Sequence, residues 1–139
     1  LSNATMIRNE SVFRALNKVD DNILKLDSAF DETIRLLNNP PKNFSVKKLV
    51  EELKLFKGNL KIQTMFVGGT YKGSIIDNSS DNEINAWLEL LKEIQPKQVM
   101  VYTIERDTPS PGLQKTPAEK LHEIAEKVKA LGFDVQVSV

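Results

Sequence analysis

Residues 23–33 read Ile-Leu-Lys-Leu-Asp-Ser-Ala-Phe-Asp-Glu-Thr, and the rest of the chain repeats the plan of this stretch. Its first four residues are apolar except for Lys25, and a short apolar run of this kind is typical of a buried strand in a parallel sheet. Asp27 and Ser28 follow the run, directly before a new helix. Because ligands bind at the carboxyl ends of parallel strands, we expect these two side chains to lie at a binding edge.

Strands and helices alternate along the sequence. The apolar patterns predict four strands, over residues 22–28, 60–67, 98–104 and 133–139, and five helices. One helix is predicted over residues 10–19, and the other four begin near the capping residues Asp31, Ser45, Ser80 and Thr116. The pair Gly68-Gly69 is predicted to end the second strand. Strands that alternate with helices favour an α/β fold with a parallel sheet.

The length, charge and amino-acid composition of the chain exclude several classes of protein. The chain has 139 residues, which predicts one domain, and its nineteen basic residues balance nineteen acidic ones. Cysteine is absent, so the chain offers no disulfide, thiolate zinc site or cysteine-ligated cluster. The single histidine, His122, is interpreted as a solvated helix position. No apolar run is long enough to span a membrane, and we expect a cytoplasmic protein.

Glycines follow the second predicted strand, as they do in phosphate-binding loops. Gly68, Gly69 and Gly73 match neither G-x-G-x-x-G nor G-x-x-x-x-G-K-[ST]. A tight turn at a strand end is the simpler interpretation.

Polar residues at the predicted strand ends leave several kinds of site open. Asp27 with Glu105 or Asp107 fits a general acid–base pair or a magnesium site, and solvated loop charges fit the last two equally well. Gln63 and Thr64 are unusual in a buried strand, and a polar pair that faces a ligand cavity explains them. Lys25 and Lys61 lie inside apolar runs, so each lysine snorkels, lies at a sheet edge or points into a polar lumen.

The segments Leu26-Asp27-Ser28 and Gln63-Thr64-Met65-Phe66-Val67-Gly68-Gly69 resemble the later strands of radical S-adenosylmethionine (SAM) enzymes. The resemblance continues along the chain. Residues 2–6 are similar to the end of that family's third barrel strand, residues 23–33 to the fourth strand, 61–69 to the fifth, 77–78 to a short polar signal after it, and 99–105 to the sixth.

The resemblance implies the C-terminal half of a partial six-stranded (β/α) barrel, with residues 1–139 as one domain and the N-terminal, cluster-binding half absent. In the family a cysteine triad, C-x-x-x-C-x-x-C, holds a [4Fe–4S] cluster that binds SAM. Reduction of this iron–sulfur centre then cleaves SAM to a 5′-deoxyadenosyl radical. The resemblance therefore implies an oxidoreductase as the parent protein. It also implies a fragment that binds no cofactor and is inactive alone.

The resemblance also suggests which residues contact the cofactor. Asp27 and Ser28 face the ribose or methionine part of SAM, Gln63 points inward beside Thr64, and Ile104 and Glu105 lie close to the adenine. Gly68 departs from the family pattern, because many relatives have a basic residue there against the cofactor carboxylate. No catalytic residue and no metal ligand is identified.

Two other functions remain open at this point. The runner-up is a non-catalytic α/β interaction domain, and the third is a metal-assisted hydrolase that uses Asp27 with Glu105 or Asp107. The substrate is unknown, with RNA and protein both open, and no membrane partner is expected. An isolated half-barrel leaves an unpaired strand edge, so we also expect a homodimer or strand exchange.

Overall fold

The computed structural model describes residues 22–38, 40–71, 73–104 and 112–139. These residues form six strands and four helices. In chain order the elements are β1 (Ile23–Lys25), α1 (Asp31–Asn38), α2 (Val46–Lys54), β2 (Lys61–Tyr71), β3 (Ser74–Ile75), α3 (Asp81–Ile94), β4 (Gln98–Thr103), β5 (Leu113–Lys115), α4 (Ala118–Ala130) and β6 (Val135–Ser138). The helix predicted over residues 10–19 lies outside the described residues.

Four of the strands form a parallel sheet in the order β1-β2-β4-β6. Each strand therefore lies beside the next of these four strands along the chain, and at least one helix connects each pair. This arrangement confirms the predicted α/β fold with a parallel sheet. It also brings the carboxyl ends of β1, β2 and β4 to one edge.

Strand β2 is longer than the sequence predicts. It does not end at Gly68-Gly69 but continues to Tyr71, because its extension has antiparallel partners, β5 on residues 67–69 and β3 on residues 70–71. Gly69 has a φ of +98°, and a Cβ on it would lie 2.2 Å from the carbonyl oxygen of Gly112. The glycine therefore marks a close approach of two backbones and not the end of a strand.

The hydrophobic core lies on one face of the parallel sheet. Alternate side chains of the strands enter it, and residues from all four helices pack against them. Phe66 and Trp87 meet edge to face, with ring centroids 5.2 Å apart. The strand residues of the core are Leu24, Ile62, Phe66, Val99 and Val101, joined by Leu26 directly after β1, and its helix residues include Ile34, Leu53, Ile84, Leu91, Leu121, Ile124 and Val128.

Two of the predicted helix caps are confirmed. The hydroxyl of Ser45 accepts a hydrogen bond of 3.2 Å from the backbone N–H of Lys48 at the start of α2. The hydroxyl of Ser80 accepts one of 3.4 Å from Glu83 at the start of α3.

The other two predicted caps are wrong. Asp31 is the first residue of α1, and its carboxylate accepts a hydrogen bond of 2.7 Å from Val46, at the start of the next helix. Thr116 does not cap α4, which begins after Pro117 without a side-chain cap. The backbone N–H of Thr116 instead donates to the hydroxyl of Thr103 at 2.8 Å. In both cases a tertiary contact replaces the local one. No helix in the described part of the chain is long and apolar enough to cross a membrane.

Candidate functional site

The face of the sheet opposite the core is polar. Strand register places Lys25, Gln63, Met100 and Gln136 in one row across β1, β2, β4 and β6. Met65, Tyr102 and Ser138 form the next row toward the carboxyl edge. Asp27 follows β1 beside Met65, and alternation of side chains places it on the same face as Lys25. These residues are called the polar face below.

Asp27 is the most buried residue of the polar face, with a side chain that is 0% exposed. Its Oδ1 atom accepts a hydrogen bond of 2.9 Å from the backbone N–H of Met65. Its Oδ2 atom lies 3.4 Å from the Nζ atom of Lys25 but has no hydrogen-bond partner in the structure as described. One carboxylate oxygen therefore fixes the strand end, and the other is ion-paired with the Lys25 ammonium.

The ammonium of Lys25 also interacts with the phenol of Tyr102. Burial disfavours the charged amine, but the attraction of Asp27 and the contact with Tyr102 outweigh it, so that the pKa of Lys25 is raised. Burial, helped by Asp27, also raises the pKa of Tyr102, against the opposing effect of Lys25. At neutral pH the pair is therefore a cation beside a neutral phenol.

Gln63 lies between these strands on β2. Its Oε1 atom is buried and has no hydrogen-bond partner among the described residues. Together with Asp27 Oδ2, which lies in an ion pair with Lys25, it gives the polar face two buried acceptor oxygens without a hydrogen bond from the described residues. Buried polar atoms without partners are rare in native structures, and a role in binding or catalysis is one explanation for them.

Gln63 and Thr64 do not share a cavity, because neighbouring residues on a strand point to opposite faces. Thr64 is 0% exposed on the core side. Its hydroxyl donates to the carbonyl of Leu26 at 2.7 Å and accepts from the indole N–H of Trp87 at 3.1 Å. Thr64 therefore joins β1, β2 and α3, and only Gln63 lies on the polar face.

Ser28 is buried and its hydroxyl has two partners within the chain. It donates to Glu83 Oε1 at 2.6 Å and accepts from the backbone N–H of Phe30 at 3.0 Å. The second oxygen of Glu83 accepts from the hydroxyl of Thr33 at 2.7 Å. Glu83 thus fastens the β1–α1 turn to the start of α3.

The remaining predicted residues lie at the end of β4. Ile104 follows the strand and is half-buried. Glu105 and Asp107 lie outside the described residues, so the acid–base and magnesium pairs that include them stay predictions. In the described part of the chain, no three histidine, aspartate or glutamate side chains come together as a metal site. His122 is exposed on α4, as interpreted from the sequence.

Sequence reasoning missed the contribution of three residues to this region. Asn78, quoted only as part of a short polar signal, is buried and hydrogen-bonds to the backbone that follows β1 and to β2. Glu83, three residues after the predicted cap Ser80, is the partner of Ser28, which the sequence pattern does not indicate. Tyr102 was not singled out, although a polar residue at an alternate position of a buried strand is the signal that would have found it.

Comparison with known proteins establishes the fold. No protein-family model matches the chain, and no curated protein matches it. A domain of pyruvate-formate lyase-activating enzyme from Bacteroides vulgatus is similar in structure, with a TM-score of 0.72 and 12% identity over 99% of this chain and 79% of that one. A radical SAM methyltransferase from Sphaerobacter thermophilus gives a TM-score of 0.71 and 14% identity over 92% of this chain. The chain spans 37% of the methyltransferase. The chain thus has the α/β fold of these proteins, one of which is a radical SAM enzyme.

Proposed function

We propose that the chain is the C-terminal half of the partial barrel of a radical SAM enzyme, an iron–sulfur oxidoreductase. Its polar face lines the cavity for SAM and substrate. The observation that carries the proposal is a pair of buried acceptor oxygens that receive no hydrogen bond from the described residues, Gln63 Oε1 and Asp27 Oδ2, on the face of the parallel sheet opposite the core. The structural likeness to a radical SAM methyltransferase supports it.

The residues of this chain fit one of the two cofactors that the proposal implies. A [4Fe–4S] cluster needs thiolate ligands, and the chain has no cysteine, so the cluster ligands belong to another part of the parent protein. SAM fits the polar face, because its hydroxyl and ammonium groups are donors, whereas Gln63 Oε1 and Asp27 Oδ2 are acceptors without a hydrogen bond from the described residues. Bound to a reduced cluster, SAM supplies a 5′-deoxyadenosyl radical.

Within this proposal each predicted residue has a distinct part. Asp27 and Gln63 accept hydrogen bonds from SAM, and Ile104 offers an apolar contact for the adenine, beside Glu105. Ser28 and Thr64 do not contact SAM in this proposal. Their hydroxyls hydrogen-bond within the chain and fix the β1–α1 turn and the β1–β2 pair. The acceptors are thereby held in place before the cofactor arrives.

The test uses the full-length protein that carries this chain, reconstituted anaerobically with iron and sulfide. We expect reductant-dependent release of 5′-deoxyadenosine from SAM. The Gln63→Leu variant is expected to bind SAM at least tenfold more weakly by isothermal titration, because its apolar side chain removes an acceptor. The matched control is Asn85→Leu, which replaces an exposed amide side chain of α3, outside the polar face.

Two results would contradict the proposal. One is a parent sequence without a cysteine triad before this chain. The other is a protein with an intact cluster that does not bind SAM, which would favour the non-catalytic interaction domain. Dimerisation or strand exchange at the outer edge of β1 stays a prediction, and the mass of the 139-residue chain from light scattering checks it.

A further inference from the structure

The carboxylate of Glu83 binds two hydroxyl groups of the segment that follows β1. Its Oε1 atom accepts a hydrogen bond of 2.6 Å from Ser28, and its Oε2 atom accepts one of 2.7 Å from Thr33. These short distances are typical of hydrogen bonds to an ionised carboxylate, which are roughly twice as strong as bonds between neutral groups. Ser28 is adjacent to Asp27, whereas Thr33 lies on α1. One carboxylate therefore fixes both ends of the β1–α1 turn.

Glu83 is held by the start of α3, independently of its contact with Ser28. The hydroxyl of Ser80 caps this helix and accepts a hydrogen bond of 3.4 Å from the backbone N–H of Glu83. Ile84, the next residue, and Trp87, one turn later, are 0% and 1% exposed in the core. A glutamate in the first turn of a helix is also favoured by the helix dipole. In the contact between the two residues, Glu83 is thus the fixed partner and Ser28 the one that it orients.

The backbone at Asp27 is held by side chains, because it lies beyond the pairing of β1 with β2. A backbone hydrogen bond of 3.0 Å from Leu26 to the carbonyl of Gln63 continues that pairing by one residue. At the next residue, Asp27 Oδ1 accepts from the N–H of Met65 at 2.9 Å, and the carbonyl of Asp27 accepts from Asn78 at 2.8 Å. Side-chain contacts therefore set the direction in which the Asp27 carboxylate points.

We propose that Glu83 is a positioning residue, which acts through Ser28 to hold the Asp27 carboxylate on the polar face. Asp27 and Ser28 share a peptide bond, so a backbone rotation that releases the Ser28 hydroxyl also turns the Asp27 side chain away from Met65. The inference rests on the proposed function only where it concerns SAM, because the contact of Asp27 with Met65 lies within the chain itself.

The contact between Asp27 and Met65 gives a direct readout of this role. Hydrogen exchange at single-amide resolution, in the full-length protein without SAM, measures the release of the Met65 amide, and the Leu26 amide reports opening of the β1–β2 pair itself. We expect Glu83→Ala to raise the ratio of the Met65 rate to the Leu26 rate about fivefold or more, because it removes both acceptor oxygens. The matched control is Glu93→Ala, at an exposed glutamate of the same helix, which should keep the wild-type ratio.

Two hydroxyl variants separate positioning of Asp27 from general support of the helices. Ser28→Ala and Thr33→Val each remove one hydroxyl from the Glu83 carboxylate, but only Ser28 is adjacent to Asp27. We expect Ser28→Ala to raise the exchange ratio as Glu83→Ala does, and Thr33→Val to leave it within about twofold of the wild-type ratio. The double variant Ser28→Ala/Glu83→Ala should show no further rise, because the two residues act through one hydrogen bond. If Glu83→Ala fails to fold, Ser28→Ala and Thr33→Val carry the same comparison.

The affinity for SAM gives the second readout. Isothermal titration of the full-length protein under anaerobic conditions measures it in the same variants. We expect Glu83→Ala and Ser28→Ala to bind SAM about fivefold more weakly or worse, and Thr33→Val and Glu93→Ala to bind it as the wild type does.

The outcomes are distinct. A raised exchange ratio in Glu83→Ala and Ser28→Ala alone, with weaker SAM binding, supports the positioning role. The same ratios with unchanged SAM affinity support the positioning of Asp27 and contradict its part in SAM binding. An unchanged ratio in Glu83→Ala overturns the positioning role, and so does an equal rise in Thr33→Val, whatever the affinity for SAM. A wild-type protein with an intact cluster that binds no SAM overturns the proposed function, and the exchange ratios still decide the role of Glu83.

Discussion

The side-chain amide of Asn78 donates a hydrogen bond of 2.8 Å to the backbone carbonyl of Asp27, 51 residues earlier in the chain. The same amide donates to the carbonyl of Met65 at 2.7 Å, and its oxygen accepts from the N–H of Val67 at 2.8 Å. Asn78 thus pairs with the backbone where β1 has ended and β2 continues. The polar face depends on a residue that lies outside it, because Asn78 fixes the backbone from which Asp27 projects.

Replacement of Asn78 by alanine is expected to lower the free energy of unfolding by about 3 kcal/mol, because it leaves three buried backbone groups without their partners. Urea denaturation of the chain measures the change. Asn85→Ala is the matched control, since Asn85 is exposed on α3, and its effect should stay within about 0.5 kcal/mol. Equal losses in the two variants would show that Asn78 is not the anchor inferred here.

The sequence predicted the parts of the fold that local pattern determines. Apolar runs that alternate with helical patterns predicted the parallel sheet, and Ser45 and Ser80 predicted the starts of two helices. The pairs that build the site are different in kind, because Ser28 meets Glu83 and Thr64 meets Trp87 only after the elements pack. No spacing along the chain encodes such contacts.

One error could have been avoided with the sequence alone. Gln63 and Thr64 are adjacent on a strand, so the period of two already places them on opposite faces. The extension of β2 was beyond local reasoning, because a Gly-Gly pair usually marks a turn. Here the antiparallel partners β3 and β5 extend the strand through it.

The adjacent glycines of β2 are expected to respond differently to alanine. At Gly69 the new methyl group meets the carbonyl oxygen of Gly112 at 2.2 Å, on a backbone with a φ of +98°. We expect Gly69→Ala to lower the free energy of unfolding by about 2 kcal/mol or more. At Gly68 the nearest atoms are 3.9 and 4.0 Å away, so Gly68→Ala should be neutral or stabilising by about 0.5 kcal/mol. Thermal unfolding of both variants checks the order, and a larger loss at Gly68 would contradict it.

The hydroxyl of Thr64 is expected to matter more than its methyl group. Thr64→Val leaves the carbonyl of Leu26 and the indole N–H of Trp87 without a partner in the core, at a cost of about 2 kcal/mol. Thr64→Ser keeps the hydroxyl and should cost about 1 kcal/mol, for one lost methyl group. Trp87 is the only tryptophan of the chain, so its fluorescence emission reports the change directly. An emission spectrum that is the same in wild type and Thr64→Val would argue against the hydrogen bond.

The raised pKa values of Lys25 and Tyr102 predict a loss of stability at alkaline pH. The pKa values of Lys25 and Tyr102 in the folded chain are raised above their ordinary values of 10.5 and 10.0. A group with a raised pKa in the folded state contributes stability that is fully present below its ordinary pKa and is lost as the pH rises through the folded one. Both groups therefore lower the free energy of unfolding as the pH rises above their ordinary pKa values.

We expect the free energy of unfolding, measured by urea denaturation, to start falling as the pH passes 10.0 and 10.5, the ordinary pKa values of these groups. Lys25→Met should be less stable at neutral pH, because Asp27 loses its cation, yet it should lose less on further alkalinisation. Lys47→Met, which removes an exposed lysine of α2, should follow the wild-type curve. A Lys25→Met curve parallel to that of the wild type through this range would mean that the ammonium of Lys25 adds no pH-dependent stability to the polar face.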